Sequence, residues 1–286
     1  MRNALTFDVE EYFHAEAFAR AVHPDDWPSL ESRVAGSMER VLELLSRARA
    51  RATFFVLGWV AERHRGLVRE IHAQGHELAC HGYAHRMIGQ LSRDEFRRDV
   101  ARAKCTLEDV VGCAITGYRA PTFSVMQDTL WSLDVLCELG FQYDSSIFPI
   151  VHDRYGLPGA PRFPHRLRTP GGGELAEFPP STIEVLGRRV PVAGGGYFRL
   201  LPWKVTRWAI HRLNEREGQP AMIYLHPWEM DPDQPRLPAG AVARLRHRLN
   251  LPKTDERLRA LLDEFEVGPV ADILLKQGLI RGGGAR

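Results

Sequence analysis

The sequence predicts an α/β protein built on a parallel sheet or barrel. Three observations carry this reading. Short apolar segments rich in β-branched and aromatic residues alternate with amphipathic segments of helical period over the first two-thirds of the chain. Several of the apolar segments end in titratable or cationic residues, where α/β sheets and barrels gather their functional groups. A length of 286 residues is within the range of a single barrel and needs no staples to hold a core. With 44% hydrophobic and 26% charged residues, the chain is neither disordered, collagen-like nor a coiled coil. The 38 Lys+Arg against 36 Asp+Glu leave a net charge of +2, with no basic tail and no reason to expect nucleic acid.

Each element follows from its own residues. Residues 4–9 read as a strand running into the carboxylates of D-V-E-E. Residues 37–50 read as a helix with Met38, Val41, Leu42 and Leu45 on one face. The β-branched and aromatic run at 52–57 is a buried strand. A helix follows at 60–74, with Leu67, Val68 and Ile71 inward and Gly75 as its left-handed stop. Residues 77–81 are the next strand. Ser92 opens a helix with Glu95 three residues on, a capping box, and the helix ends near Gly112. A strand at 115–118 leads into R-A-P, a helix at 128–139 stops at Gly140, and 141–144 is a further strand. From 148 to 200 the chain is rich in Pro and Gly, with triple glycines at 171–173 and 194–196. It reads as long loops with one short strand at 176–178, forming part of a cleft wall. Helix returns at 205–217, strand at 222–225, and helices at 240–249 and 255–265, before an end at 281–286 that is expected to be disordered.

Four cysteines, at 80, 105, 113 and 137, include no C-x-x-C pair and are expected to be reduced and mostly buried. The longest uncharged apolar run near the start, residues 52–61, is about half of a membrane span. The N-terminus carries charges where a signal peptide is apolar. The expectation is a cytoplasmic protein without a transmembrane segment.

Five strands finish in groups able to converge on one pocket: Asp8 and Glu10, His81 followed by His85, Arg119, Asp144, and His226. Two imidazoles and a carboxylate suit a divalent cation of zinc type with one position open for water. H-x-x-x-H alone arises by chance, and a lone strand-end His is more often structural; its coincidence with D-V-E at another strand end favours a site. Asp8 and Glu10 alternate along an extended chain and so share a face. One can bind the metal while the other takes a proton from a water whose pKa the metal brings from ~16 to about 7. Arg119, in a loop stiffened by Pro121, can hold a base carboxylate ionised. His226 can serve as general acid, tuned by a carboxylate such as Asp144. Taken singly, Arg119 reads as a structural ion pair and His226 as a structural imidazole.

Other features are set aside. Cys80 alternates with His81 and belongs to the core face. The glycine runs lack the strand–turn–helix setting of a dinucleotide site. His64, His72, His211 and His247 read as surface residues. Trp203, Trp208 and Trp228 can stack on sugars, although core is the better reading for Trp208.

The ordered motifs T-F-D-V-E (6–10), H-G-Y-A-H (81–85), G-Y-R-A-P (117–121), Y-D-S-S (143–146) and Y-L-H-P (224–227) resemble those of the polysaccharide deacetylase family, the NodB-homology or carbohydrate esterase family 4 domain, over about residues 3–230. G-G-G-Y-F-R-L-L-P and H-P-W-E-M-D-P-D-Q-P-R resemble a subgroup with an extra C-terminal region, DUF3473, associated with exosortase-linked exopolysaccharide clusters. The resemblance implies a distorted (β/α)7 barrel over 1–230, with a helical extension at 231–280 packed on it and the tail beyond. It implies metal-dependent removal of N-acetyl groups from a glycan, most simply with Zn2+. In that reading Asp8 is the general base, His81 and His85 are metal ligands, Arg119 tethers the base, His226 is the general acid and Asp144 tunes it. The family's first motif has adjacent aspartates; here Val9 takes the second place, and Glu10 is the expected ligand instead. A backbone N–H near Thr122 or Phe123 is expected to stabilise the oxyanion. Two other readings remain: a C–N hydrolase of a small cyclic amide, and a non-catalytic glycan-binding or scaffold member of the fold.

Overall fold

The structure is a computed structural model that describes residues 1–19, 21–152 and 154–281. Its strands are β1 (Asn3–Val9), β2 (Thr53–Val56), β3 (Glu77–Cys80), β4 (Gly117–Tyr118), β5 (Tyr143–Asp144), β6 (His165–Arg168), β7 (Glu174–Glu177), β8 (Thr182–Val185), β9 (Arg188–Pro191), β10 (Met222–Leu225) and β11 (Val267–Gly268). Its α-helices are α1 (Val34–Arg47), α2 (Gly58–Arg63), α3 (Arg65–Ala73), α4 (Arg93–Val111), α5 (Ser132–Glu138), α6 (Gly195–Leu200), α7 (Trp203–His211), α8 (Ala241–Arg248), α9 (Thr254–Glu264) and α10 (Val270–Lys276). The main sheet runs β10-β1-β2-β3-β4-β5-β7-β6, with β11 also beside β1. All its pairings are parallel except β6 with β7. The sheet curls into a half-barrel, the distorted (β/α)7 architecture, with helices at the C-terminal end.

Alternation along the strands decides which side chain goes where. Leu5, Phe7, Val9, Val56, Leu78 and Cys80 join Val41, Leu45, Val60, Ile71 and Val100 of the helices in the main apolar layer. Ala4, Phe55, Ala79, Tyr143, Ala176, Phe178 and Met222 face the other way and pack with Val270, Ile273 and Leu274 of α10. The Val270 N–H donates to Thr53 Oγ1 at 2.8 Å, at the first residue of β2. Helix α10 therefore covers the amino end of the barrel, and the carboxyl ends of the strands remain for a site.

Several elements differ from expectation. The helix expected at 60–74 is two, broken at His64, whose φ of −117° and ψ of 47° leave the helical region. The segment 148–200 holds two antiparallel hairpins, β6–β7 and β8–β9, and α6. In β6 (H-R-L-R) the exposed positions are Arg166 and Arg168, and in β9 (R-R-V-P) they are Arg188 and Val190; both strands are short and interrupted by arginines, which conceals them from a search for apolar runs. Strand β11 and helix α10 were not anticipated. Ser92 and Glu95 do form the capping box, and Gly112 ends α4 in the left-handed conformation. Only Cys80 of the four free cysteines is buried; Cys105 and Cys113 are exposed on the polar side of their helix and its cap. Trp208, expected in the core, is 46% exposed, whereas His247, expected at the surface, is buried. Of the tail expected at 281–286, residues 282–286 lie outside the described residues. Among the described residues no helix is long and apolar enough to cross a membrane.

Candidate active site

Strand β1 carries Thr6 and Asp8 on its inward face, and Glu10 follows directly after it at the carboxyl end of the barrel. The next carboxylate, Glu11, points the other way. It accepts the N–H groups of Arg33 (2.9 Å) and Val34 (3.1 Å) and the Ser32 hydroxyl, and so caps α1. One tetrapeptide thus splits its acids between the pocket and a helix end.

Arg119 follows β4 and has no exposed surface. Its Nη1 donates to Asp8 Oδ1 at 2.6 Å and to Thr6 Oγ1 at 2.8 Å. Its Nη2 donates to Ser145 Oγ at 2.9 Å and its Nε to the Ser145 carbonyl at 3.2 Å, while the guanidinium lies 4.0 Å over the Phe55 ring. A guanidinium fixed on both sides orients the Asp8 carboxylate without further freedom.

Glu10, His81 and His85 place ligand atoms within 4.8 Å of one another. Glu10 Oε2 is 2.8 Å from His85 Nε2 and is buried without a hydrogen-bond donor beyond that contact. His81 Nδ1 sits 2.8 Å from the Arg119 carbonyl, which leaves Nε2 as its ligand atom. Burial pushes His81 down to about 4, keeping it neutral. Burial opposes the Glu10 charge, but His85 and His226 outweigh it and hold the carboxyl well below its ordinary range. His85 adopts a positive φ of 48°, and so do Thr122 (57°) and Phe123 (50°) beside it in the same pocket. Non-glycine residues held in the left-handed region cost about 1–3 kcal/mol each and concentrate at functional sites.

His226, at the end of β10, completes the wall. Its Nε2 lies 3.9 Å from both Asp8 Oδ2 and Glu10 Oε1. Burial lowers its basicity, but the Glu229 hydrogen bond and the Glu10, Glu229 and Asp8 charges prevail and lift it to about 9. Asp8, Glu10, His81, His85, Thr122, Phe123 and His226 line a cavity of about 170 Å³, together with Glu16, Tyr155, Gly195, Gly196, Tyr224 and Trp228, and Arg119 lies buried behind Asp8.

Residues 19–143 match the polysaccharide deacetylase family, and residues 145–275 match a domain of unknown function, DUF3473. The polysaccharide deacetylase match spans a little under half of the chain, and the two matches together span most of it. It is 27% identical over 160 residues to a peptidoglycan-N-acetylglucosamine deacetylase of Bacillus cereus, covering 52% of this chain and 55% of that protein. It is 34% identical over 99 residues to a chitooligosaccharide deacetylase of Sinorhizobium fredii, covering 34% of this chain and 42% of that one. The chain thus spans about half the length of these curated relatives. A crystal structure from Mycobacterium smegmatis, itself ascribed to the polysaccharide deacetylases, shares the fold with a TM-score of 0.63 at 23% identity, over 99% of this chain and 93% of that one.

Within this deacetylase fold one expected residue is placed elsewhere. Asp144 does not meet His226. Tyr143 points into the barrel, where its hydroxyl donates to Glu77 Oε1 at 2.7 Å, so Asp144 alternates to the opposite face of β5. There it accepts from the Ser146 hydroxyl and pairs in register with Glu177 of β7. The carboxylate that does meet His226 is Glu229, 2.7 Å from Nδ1. Sequence reasoning missed it, although H-P-W-E carries a signal: a proline at the first helical position and a Glu three residues after the cap. Trp228 is not a free sugar platform, because its ring is stacked between His226 (centroids 5.0 Å) and His247 (4.2 Å). Its Nε1 donates to Glu10 Oε1 at 3.1 Å.

Proposed function

We propose that this chain is a metal-dependent N-deacetylase acting on amino sugars of a polysaccharide or its precursor, of the kind used in exopolysaccharide biosynthesis. The observation that carries the proposal is the meeting, in one pocket, of the Glu10–His81–His85 donor set with the Asp8–Arg119 pair and His226. The donor set fits a divalent cation, and two nitrogens with one carboxylate oxygen favour Zn2+. The buried Glu10 Oε2, with no donor beyond the His85 contact, is the atom such a cation would satisfy. When bound, the cation supplies Lewis acidity toward the substrate carbonyl and toward water.

The remaining chemistry belongs to the chain. Arg119 occupies Asp8 Oδ1, and Oδ2 is the oxygen that takes a proton from the attacking water. Phe123 already gives its N–H to the Ala120 carbonyl at 3.1 Å, so of the two N–H groups considered Thr122's remains for the developing oxyanion. His226, in its protonated form, gives a proton to the amine as the C–N bond breaks, releasing acetate and an amino sugar. We further propose that the barrel extends to about residue 230 and that 231–280 is an extension packed on it. Supporting this, β11 pairs with β1 and Val270, Ile273 and Leu274 are buried among inward barrel residues.

Asp8→Asn tests the base. Acetate release from N-acetylated oligosaccharides is expected to fall ~10² to 10⁴-fold with the thermal transition retained. Turnover comparable to the unaltered chain would refute the assignment.

A further inference from the structure

Behind His226 stands a chain of buried charges that the proposed reaction does not yet use. Glu229 has no exposed surface. One of its oxygens, Oε1, lies 2.7 Å from His226 Nδ1 and accepts the His226 backbone N–H at 3.0 Å. The other, Oε2, accepts from Arg199 Nε at 2.5 Å. Arg199, 3% exposed, is held in turn by the carbonyls of His247 (2.9 Å) and Leu249 (2.8 Å) at the end of α8. Every member lies in the 145–275 segment, whereas Asp8 and Glu10 precede the 19–143 match and His81, His85 and Arg119 fall within it.

Burying a carboxylate and a guanidinium is costly, and a pair of well-packed apolar residues commonly serves stability as well or better. The pair's geometry has a second use. A carboxylate fixed against Nδ1 makes that nitrogen the donor, which turns Nε2 toward the pocket and removes the ring's freedom to flip. Trp228, stacked on the imidazole at an interplanar angle of 20°, blocks tilting.

We infer that Glu229 and Arg199 are positioning residues for the acid step: Arg199 anchors Glu229, and Glu229 holds the His226 imidazole with Nε2 turned into the pocket. The DUF3473 segment is then the acid arm of the active site. This inference rests on the reading of His226 as general acid.

Two leaving groups separate a positioning role from a structural one. An amine departs from an amide only with a proton, whereas 4-nitrophenolate leaves 4-nitrophenyl acetate without one. His226→Ala is expected to lower the ratio of kcat for an N-acetylated chitooligosaccharide to kcat for the aryl ester by ~10²-fold or more. Glu229→Gln is expected to lower the same ratio by at least about tenfold, with KM for the amide within about twofold, as loss of an orienting carboxylate does elsewhere. An unchanged ratio in Glu229→Gln, with both activities intact or falling in parallel, overturns the inference while leaving the acid assignment standing. An unchanged ratio in His226→Ala overturns the acid assignment and the inference with it. Where Glu229→Gln leaves Arg199 uncompensated and the chain does not fold, the double variant Arg199→Met with Glu229→Gln removes both charges at similar volume and is read by the same ratio.

Discussion

Arg119 spends its donors on both the pocket and the sheet, and that double attachment is what makes Asp8 a directed group rather than a loose one. A second buried acid cluster lies on the far side of the same strands. Asp144 and Glu177 are both fully buried, and burial raises both, Glu177 further because Asp144 stands beside it. The two cannot both ionise without opposing each other. A carboxyl whose folded pKa is raised contributes stability below its ordinary range and loses it as pH climbs through the raised value. Glu177→Gln removes that loss. The melting temperature of the variant relative to the unaltered chain is therefore expected to rise as the pH climbs above the ordinary carboxyl range, from about pH 5 upward. A difference that stays constant with pH would show that the pair does not share a proton. At this scale the sequence was legible where a polar residue ended an apolar strand, as with Asp8, His81, Arg119 and His226. It was illegible where function depends on what a second residue touches. Asp144 sits at such an end yet faces away because Tyr143 takes the inward position. Glu229 hides within a turn, and its partner Arg199 lies thirty positions upstream in a glycine-rich run.

Elements place these residues through their register. Strands buried on both faces, such as β2 and β10, announce themselves as apolar runs, and their bounds fall within a residue or two of the expectation. Of the strands at 165–191 only the one expected at 176–178 was legible, as β7; charged residues interrupt the apolar pattern of the others. One close approach fixes the rim of the pocket. Gly194 pairs with Tyr224 in a parallel bridge, and a Cβ there would fall 1.9 Å from Tyr224 Cδ1. Gly194→Ala must push Tyr224 toward Phe123, which its ring meets at 4.8 Å, and shift the adjoining Gly195 and Gly196. A destabilisation of about 1–3 kcal/mol is expected in chemical denaturation, with reduced acetate turnover. A denaturation midpoint equal to that of the unaltered chain would mean that the rim is not fixed by this contact.

Across the whole molecule, α10 closes the amino end of the barrel and the strands deliver their polar termini to the other. The two matched segments and the first strand each contribute to one pocket, so the site is a property of the assembled fold rather than of any one stretch. The measurement that bears most directly on this account is acetate release from a panel of N-acetylated oligosaccharides, taken on one preparation before chelation, after it, and after each divalent cation is restored. Release should vanish with the chelator and return with at least one cation. Release undiminished in a metal-free preparation, or no release from any substrate with any cation, would contradict a hydrolase built around Glu10, His81 and His85.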